Sequence, residues 1–151
     1  INDEVGHLAG DRALRHVVDA LNQKMEDGDW LARLGGEEFA LLLPLPIGRA
    51  WERLETMRRA VASQPFSPEH GAEPMRLTFS AGIASWPQDG ADLSQLLRRA
   101  DLRLRRCTSA GVMARMRCRF SLTTSLRRPQ RMFSIVTAVP VASTSTAPGS
   151  P

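Results

Sequence analysis

Gly35 and Gly36 stand between two short apolar runs, and no other feature of this chain restricts its fold as strongly. Residues 30–34 read Trp-Leu-Ala-Arg-Leu, and the run after the glycines continues to residue 43, just before a proline. The tight turns of β-hairpins need positive φ, which glycine adopts at little steric cost. The sequence therefore predicts a hairpin with strands at roughly 30–34 and 38–43.

The end of this hairpin has a composition suited to phosphate chemistry. Glycine leaves backbone N–H groups open to an approaching ligand, and Glu37 and Glu38 follow at once. Carboxylates beside a phosphate-binding turn can hold a divalent cation. On spacing alone a second interpretation stays open, in which the two acids are merely solvated at an ordinary turn.

Length and composition predict one soluble domain. The chain has 151 residues, enough to bury a core, and no apolar run nears the ~20 residues that span a bilayer. Cys107 and Cys118 are the two cysteines, and they suggest neither a disulfide framework nor a zinc site. The first residue is Ile1, without a basic stretch and apolar segment after it. We therefore expect a piece of a longer protein in a reducing, cytoplasmic setting.

Charge is distributed unevenly along the chain. All 16 acidic residues lie within 1–101, which has a formal charge of −5, whereas 102–151 carries 9 arginines and no acid. A basic tail can attract nucleic acid or anionic membrane. However, only two aromatics, Phe120 and Phe133, lie in that part, and it contains no nucleic-acid-binding motif. We expect no specific nucleic-acid partner.

Apolar periodicity predicts three helices and one long strand besides the hairpin. A helix opens at Gly10-Asp11, a second follows the hairpin, a strand spans 76–86 with Gly82 inside it, and a third helix begins at a capping box of Asp92 and Gln95. Gly82 indicates a bulge or a close backbone approach. The apolar stripes of the three helices are Leu14, Val17, Val18, Leu21 and Met25; Ala50, Leu54, Met57 and Val61; and Leu96, Leu97, Ala100 and Leu104.

This order of elements predicts an α+β domain with a mostly antiparallel sheet flanked by helices. Three strands leave much sheet edge open, so a further first strand is expected before Ile1. Domain boundaries are predicted at 1–106, with a basic and disordered tail over 107–151. Residues 132–139 have the composition of a short strand, but the sequence shows no partner for it.

Four motifs in register resemble the GGDEF domain of diguanylate cyclases, in its Gly-Gly-Glu-Glu-Phe form. The resemblance covers about 1–105. The motifs are Ile1-Asn2-Asp3 with Gly6-His7-Leu8-Ala9-Gly10-Asp11, then Asp29 to Phe39 around the two glycines, then Leu77 to Ala84, and then Ala100-Asp101. The resemblance implies a fold like the polymerase palm and the nucleotidyl cyclases.

The resemblance also implies a reaction. Members of the family condense two GTP into cyclic di-GMP with release of pyrophosphate, using Mg²⁺ or Mn²⁺. Each domain of a homodimer holds one GTP, and the 3′-hydroxyl of each nucleotide attacks the α-phosphate of the other. An upstream sensory or dimerising domain is expected.

Site residues follow from the same resemblance. Gly35 and Gly36 let the turn approach the GTP phosphates. Glu37 binds metal and helps to deprotonate the 3′-hydroxyl, and Glu38 has a supporting metal or structural role. Asn2 and Asp11 bind guanine, and His7 lies near the nucleotide. Two alternatives remain, namely that Asp11 is an N-cap and that His7 is a structural residue at a helix entry.

The chain departs from the family at several positions. The strand carrying the second metal carboxylate, with a nearby lysine, would precede Ile1. Glu26 replaces the arginine of the product-inhibition motif that ends at Asp29, so no inhibitory site is expected. In the last helix, Thr108 and Val112 stand where the family has a lysine and an arginine. We therefore expect the chain itself to be weakly active or inactive as a cyclase.

The resemblance is expected to end near Leu104. A change of reading frame from that point would explain the loss of acids, and a divergent native extension is the alternative. A non-catalytic module that binds GTP or cyclic di-GMP is the alternative function, and a basic adaptor for membrane or nucleic acid is a third.

Overall fold

The computed structural model describes residues 2–68, 73–109 and 133–143. Along the chain, pairs of strands separate the helices. The elements are α1 (Asn2–Asn22), β1 (Trp30–Gly35), β2 (Glu38–Leu43), α2 (Ile47–Ser63), β3 (Pro65–Phe66), β4 (Met75–Trp86), α3 (Leu93–Ser109) and β5 (Phe133–Ser143). No described helix is long and apolar enough to cross a membrane.

The described strands form a five-stranded sheet in the order β1-β2-β5-β4-β3. Every neighbouring pair is antiparallel. This confirms the predicted α+β class with an antiparallel sheet and flanking helices. The last strand in sequence thus lies between β2 and β4, which do not pair with each other in this order.

The predicted disordered tail is wrong for two parts of 107–151. Residues 107–109 belong to α3, and 133–143 form β5. Strand β5 pairs with β2, where Leu41 is opposite Val136, and with β4, where Ile83 is opposite Val136. The sequence alone did not indicate these partners. Val136 is fully buried in the main core. The pairing of β5 with β2 ends at Ala138, before Pro140. The missing N–H of Pro140 therefore does not interrupt the pairing of β5 with β2.

Helix α1 begins at Asn2, eight residues before the predicted start at Gly10. Gly6 and Gly10 each weaken a helix by about 1 kcal/mol relative to alanine, and this made Gly10 look like a boundary. The helix nevertheless runs through both. Asp11 is therefore an interior residue of α1, and the interpretation of Asp11 as an N-cap is wrong.

The two faces of β4 pack against different helices. Leu77, Phe79, Ala81 and Ile83 alternate along the strand and join the core formed with α1 and α2. Ala84 lies on the opposite face, since successive side chains alternate, and packs with Leu96 and Ala100 of α3. Helix α3 therefore covers the other side of the sheet from α1 and α2.

Gly82 sets the distance between β4 and α3. A Cβ atom added there would overlap the carbonyl oxygen of Ala100 and would come within 2.7 Å of the Leu104 nitrogen. Both obstacles are backbone atoms, so no side chain can rotate away. The predicted close backbone approach at Gly82 is confirmed, and its partner is α3.

An ion pair also fastens α3 to β4. Arg103 donates two hydrogen bonds of 2.8 Å to the two carboxylate oxygens of Asp89 and one of 2.6 Å to the carbonyl oxygen of Ile83. The Ser85 N–H donates to the same carboxylate at 2.9 Å. Burial raises the pKa of Asp89, but the hydrogen bonds from Arg103 and Ser85 outweigh burial and lower it.

Local predictions elsewhere agree with the structure. Ala50, Leu54, Met57 and Val61 are the buried residues of α2. At the start of α3 the Gln95 N–H donates to the Asp92 carboxylate at 2.8 Å, as a cap requires. Gln95 differs from a capping box in one detail, because its side-chain oxygen accepts from Ala91 rather than from Asp92.

Candidate functional site

The hairpin turn is built from Gly36 and Glu37. Gly35 still belongs to β1 and pairs with Glu38, and the register shifts by a bulge between Arg33 and Gly35. The predicted turn at Gly35-Gly36 is thus displaced by one residue. Gly36 has φ of 49°, in the left-handed region that glycine tolerates best.

Arg33 ties the strand to the turn. Its guanidinium donates two hydrogen bonds, of 2.9 Å from Nε and 2.6 Å from an Nη atom, to the carbonyl oxygen of Gly36. One carbonyl of the turn is thereby held against a permanent positive charge. The arrangement fixes the conformation of the turn and places a cation beside it.

A pocket of about 350 Å³ lies between α1 and the hairpin. Its apolar wall comes from Leu14, Val18, Leu31 and Phe39, and its polar groups come mainly from α1. The full lining is Asp11, Leu14, Arg15, Val18, Asp19, Asn22, Leu31, Arg33 and Phe39. Arg33 of β1 lines the pocket and also donates hydrogen bonds to the Gly36 carbonyl of the turn, so the two features are adjacent.

Predicted site residues fall into three groups. Asp11 lines the pocket. The second group lies together at the exposed end of the hairpin and does not line the pocket; it consists of Gly35, Gly36, Glu37 and Glu38. Asn2 and His7 belong to α1, and their side chains lie outside the described residues. Asn2 and Asp11 are nine positions apart in α1, or about 14 Å along the axis, so α1 does not bring their backbones together.

Four polar residues of the pocket were not predicted from the sequence, namely Arg15, Asp19, Asn22 and Arg33. Leu14 and Val18, predicted in the core stripe, are only half-buried and line the pocket. The signal was present, because residues 11, 15, 18 and 22 recur at helical spacing and share one face of α1. Only knowledge of what α1 packs against separates this face from the core face.

The carboxylates at the turn are suited to a metal ion that is bound together with phosphate. Glu37 and Glu38 offer exposed carboxylates, and Mg²⁺ commonly takes one or two carboxylates together with phosphate oxygens and water. Among the described residues no group of three His, Cys, Asp or Glu side chains could hold a metal ion. The neighbouring strand β5 contains no acid. These residues therefore fit Mg²⁺ that arrives with a nucleotide, and they do not fit a protein-only cage.

Glu26 and Asp29 share a single arginine on the adjoining surface. Arg53 of α2 reaches the Glu26 carboxylate at 2.9 Å and the Asp29 carboxylate at 2.6 Å. The Glu26 N–H also donates to Asp29 at 2.8 Å. The other carboxylate oxygen of Asp29 is buried and has no hydrogen-bond partner among the described residues. Glu26 thus forms the exposed part of an ion-pair cluster with Arg53 and Asp29.

The family described as "Diguanylate cyclase, GGDEF domain" matches residues 1–114. The chain belongs to the GGDEF-domain family. The match runs past Leu104, so the expected end of the resemblance there is wrong by about ten residues. The extension includes the remainder of α3.

Several curated proteins are similar to this GGDEF domain. Diguanylate cyclase DgcP of Pseudomonas aeruginosa is 41% identical over 114 residues, covering 74% of this chain and 16% of DgcP. Response regulator PleD of Caulobacter vibrioides is 35% identical over 102 residues, covering 67% of this chain and 22% of PleD. Cyclic di-GMP phosphodiesterase NbdA of Pseudomonas aeruginosa is 29% identical over 111 residues, covering 74% of this chain and 14% of NbdA. The chain therefore spans less than a quarter of the length of these relatives, and its family connects it with cyclic di-GMP synthesis.

Proposed function

We propose that this GGDEF domain is the catalytic domain of a diguanylate cyclase, which condenses two GTP into cyclic di-GMP and releases two pyrophosphates. One observation carries the proposal. The pocket lined by Asp11 lies beside the hairpin turn, because Arg33 lines the pocket and donates hydrogen bonds to the Gly36 carbonyl of the turn. A base-sized cavity next to a glycine turn with two carboxylates is an arrangement suited to a nucleoside triphosphate.

The pocket has the chemistry to hold guanine. Its volume is near the lower end for ligand pockets, which suits a base better than a whole nucleotide. Leucine, valine and phenylalanine side chains can cover the flat faces of a purine. The Asp11 carboxylate can accept hydrogen bonds from the N1–H and N2–H₂ groups of guanine. Asn2 and His7 remain predicted contacts of the same nucleotide.

The triphosphate would extend from the pocket towards the turn. Gly36 presents backbone without a side chain, and nothing lies within 4 Å of where its Cβ would be. Arg15 and Arg33 line the same pocket and can offset phosphate charge. Glu37 and Glu38 would hold Mg²⁺, which would neutralise charge on the phosphates. Glu37 can then accept the proton of a 3′-hydroxyl.

The reaction needs a second nucleotide, so it needs a homodimer. The 3′-hydroxyl oxygen of one GTP forms a bond to the α-phosphorus of the other, and the bond to pyrophosphate breaks. We expect weak turnover from this chain, because the two hairpin carboxylates are the only metal ligands proposed among its described residues. Loss of one electrostatic contact to a transition state costs about 3 kcal/mol, or roughly a hundredfold in rate. Product inhibition at Glu26 is not expected, because a carboxylate repels the anionic product.

A coupled assay of pyrophosphate release with GTP and Mg²⁺ tests the proposal, with calorimetry of GTP binding beside it. We expect GTP to bind, Glu37→Gln to abolish the residual turnover, and Asp11→Asn to weaken GTP more than ITP, which lacks the 2-amino group. Glu52→Gln, an exposed carboxylate on α2, is the matched control. Binding of ATP as tightly as GTP would contradict the guanine assignment.

A non-catalytic module that binds GTP or cyclic di-GMP is the second candidate function. Two observations favour it: the described residues lack a third metal ligand, and one similar protein is named a cyclic di-GMP phosphodiesterase. Nucleotide binding without any pyrophosphate release, in the presence of Mg²⁺ or Mn²⁺ and at high protein concentration, would support this function instead.

A further inference from the structure

An exposed leucine on the outer surface of α3 is surrounded by arginines. Leu102 has 46% of its surface exposed. Two arginines precede it by four and three residues, Arg98 and Arg99, and two follow it by three and four residues, Arg105 and Arg106. All four are exposed. These are the positions that adjoin a residue on a helix surface. We call these five residues the Leu102 patch.

The patch concentrates positive charge. Helix α3 contains five arginines and a single acid, Asp101, which accepts a hydrogen bond of 2.9 Å from Arg105. The fifth arginine, Arg103, is directed to Asp89 and the sheet. Four exposed guanidinium groups therefore stand beside the one carboxylate of α3. This excess of positive charge is well suited to an anionic partner.

The patch and the candidate nucleotide pocket lie on opposite sides of the sheet. Helix α3 packs on β4 through Gly82 and Ala84, whereas α1 lines the pocket and packs on the opposite face of the sheet. A partner at the patch would leave the pocket open. The two surfaces can therefore be tested separately.

We propose that the Leu102 patch docks this domain on an anionic phospholipid surface. Guanidinium groups bind phosphate through paired hydrogen bonds, and an exposed leucine can enter the boundary between head groups and acyl chains. Helix α3 has no aromatic residue, and single-stranded nucleic-acid sites use aromatic rings to stack bases. Residues 110–132 add six arginines and no acid directly after α3, so the charge continues in the sequence.

The expected binding is mainly electrostatic, because Leu102 is the one exposed apolar side chain within the patch. Each arginine near an anionic membrane strengthens binding by about fivefold. Removing two should weaken binding by roughly thirtyfold. The interaction should also weaken as salt rises, because the Debye length falls.

Cosedimentation of the full chain with vesicles tests the proposal, comparing pure phosphatidylcholine with phosphatidylcholine mixed with phosphatidylglycerol. The patch variant is Arg98→Gln with Arg106→Gln. Its matched control is Arg49→Gln with Arg59→Gln, which removes two exposed arginines from α2. Circular dichroism establishes that both variants fold. A Leu102→Ser variant reports on the apolar contribution at a fixed charge.

We expect the wild type to bind only the vesicles that contain phosphatidylglycerol, the patch variant to lose roughly thirtyfold in affinity, and the control to lose much less. Leu102→Ser should release the protein at lower salt than the wild type. Equal losses in the patch and control variants would show general charge attraction and overturn the proposal. Undiminished vesicle binding by the patch variant would also overturn it, as would a patch effect seen with duplex DNA and not with vesicles.

Discussion

The β1–β2 hairpin and the β4–α3 unit differ in how their residues are buried. Five of the six residues of β1 are exposed, and Leu31 alone is half-buried. In β4 the residues from Ala81 to Ser85 are all buried. The candidate chemistry lies at the exposed turn of the hairpin, where a nucleotide can reach it, whereas β2 and β4 both supply buried side chains to the core. Stability and function can therefore be altered separately.

Val136→Asp should have the largest effect on stability, because β5 joins the two halves. Val136 has no exposed surface, and an unpaired carboxylate in a core costs several kcal/mol, about 5 or more. That amount rivals the whole stability of a small domain. Urea unfolding followed by circular dichroism should show loss of the cooperative transition. Leu93→Asp, at a position with 60% exposure, is the control, and a normal transition for Val136→Asp would contradict the central place of β5.

Alanine at two glycines compares the halves directly. Gly82→Ala should cost about 3 kcal/mol in the free energy of unfolding, since the new methyl meets backbone of α3. Gly36→Ala should cost only about 1 kcal/mol, because no atom lies within 4 Å of the added Cβ and the cost comes from holding alanine at a left-handed φ. Urea titration measures both values. Equal costs, or a larger cost at Gly36, would contradict the assignment of packing to the β4–α3 unit.

Asp89→Asn should produce the smallest but most specific change, in the pH dependence of stability. The folded pKa of Asp89 is lowered, so its contribution is present above the ordinary aspartate pKa, near 4, and is lost as pH falls through the folded pKa. The variant should therefore lose less stability than the wild type on acidification below about pH 4.

Glu55 contributes in the same acidic range, because a hydrogen bond from Arg58 outweighs burial and lowers its pKa. Some acid sensitivity should therefore persist in Asp89→Asn. Glu52→Gln on α2 is a matched control at an exposed position. Denaturation series at several pH values measure how the free energy of unfolding changes with pH. The same pH dependence in Asp89→Asn as in the wild type would show that the ion pair with Arg103 does not contribute to stability.

Sequence patterns predicted the elements whose signals are local. The hairpin, the stripe of α2 and the cap at Asp92 depend on neighbours within a few residues, and all three are present. The start of α1 was misplaced, because weak helix propensity at Gly10 was overridden by the surrounding helix. The position of β5 between β2 and β4 could not be predicted, since pairing of Val136 with Leu41 joins residues far apart in sequence.

The site was predicted in part for the same reason. The turn acids and glycines form a contiguous motif, and Asp11 was found through the family resemblance. The pocket itself depends on how α1 lies against the hairpin, and no local pattern contains that information. Arg33 is instructive, because its hydrogen bond to the Gly36 carbonyl spans only three residues but crosses the bulge between Arg33 and Gly35, which was not predicted.

The central place of β5 imposes an order on synthesis. Strands β2 and β4 leave the ribosome before the segment that lies between them, so each has an unpaired edge while more than forty residues after β4 are still to be made. Pairing across such long separations in sequence closes late and slowly. A stalled or shortened nascent chain would hold the candidate active-site hairpin on a half-built sheet with an apolar edge, a surface that chaperones recognise.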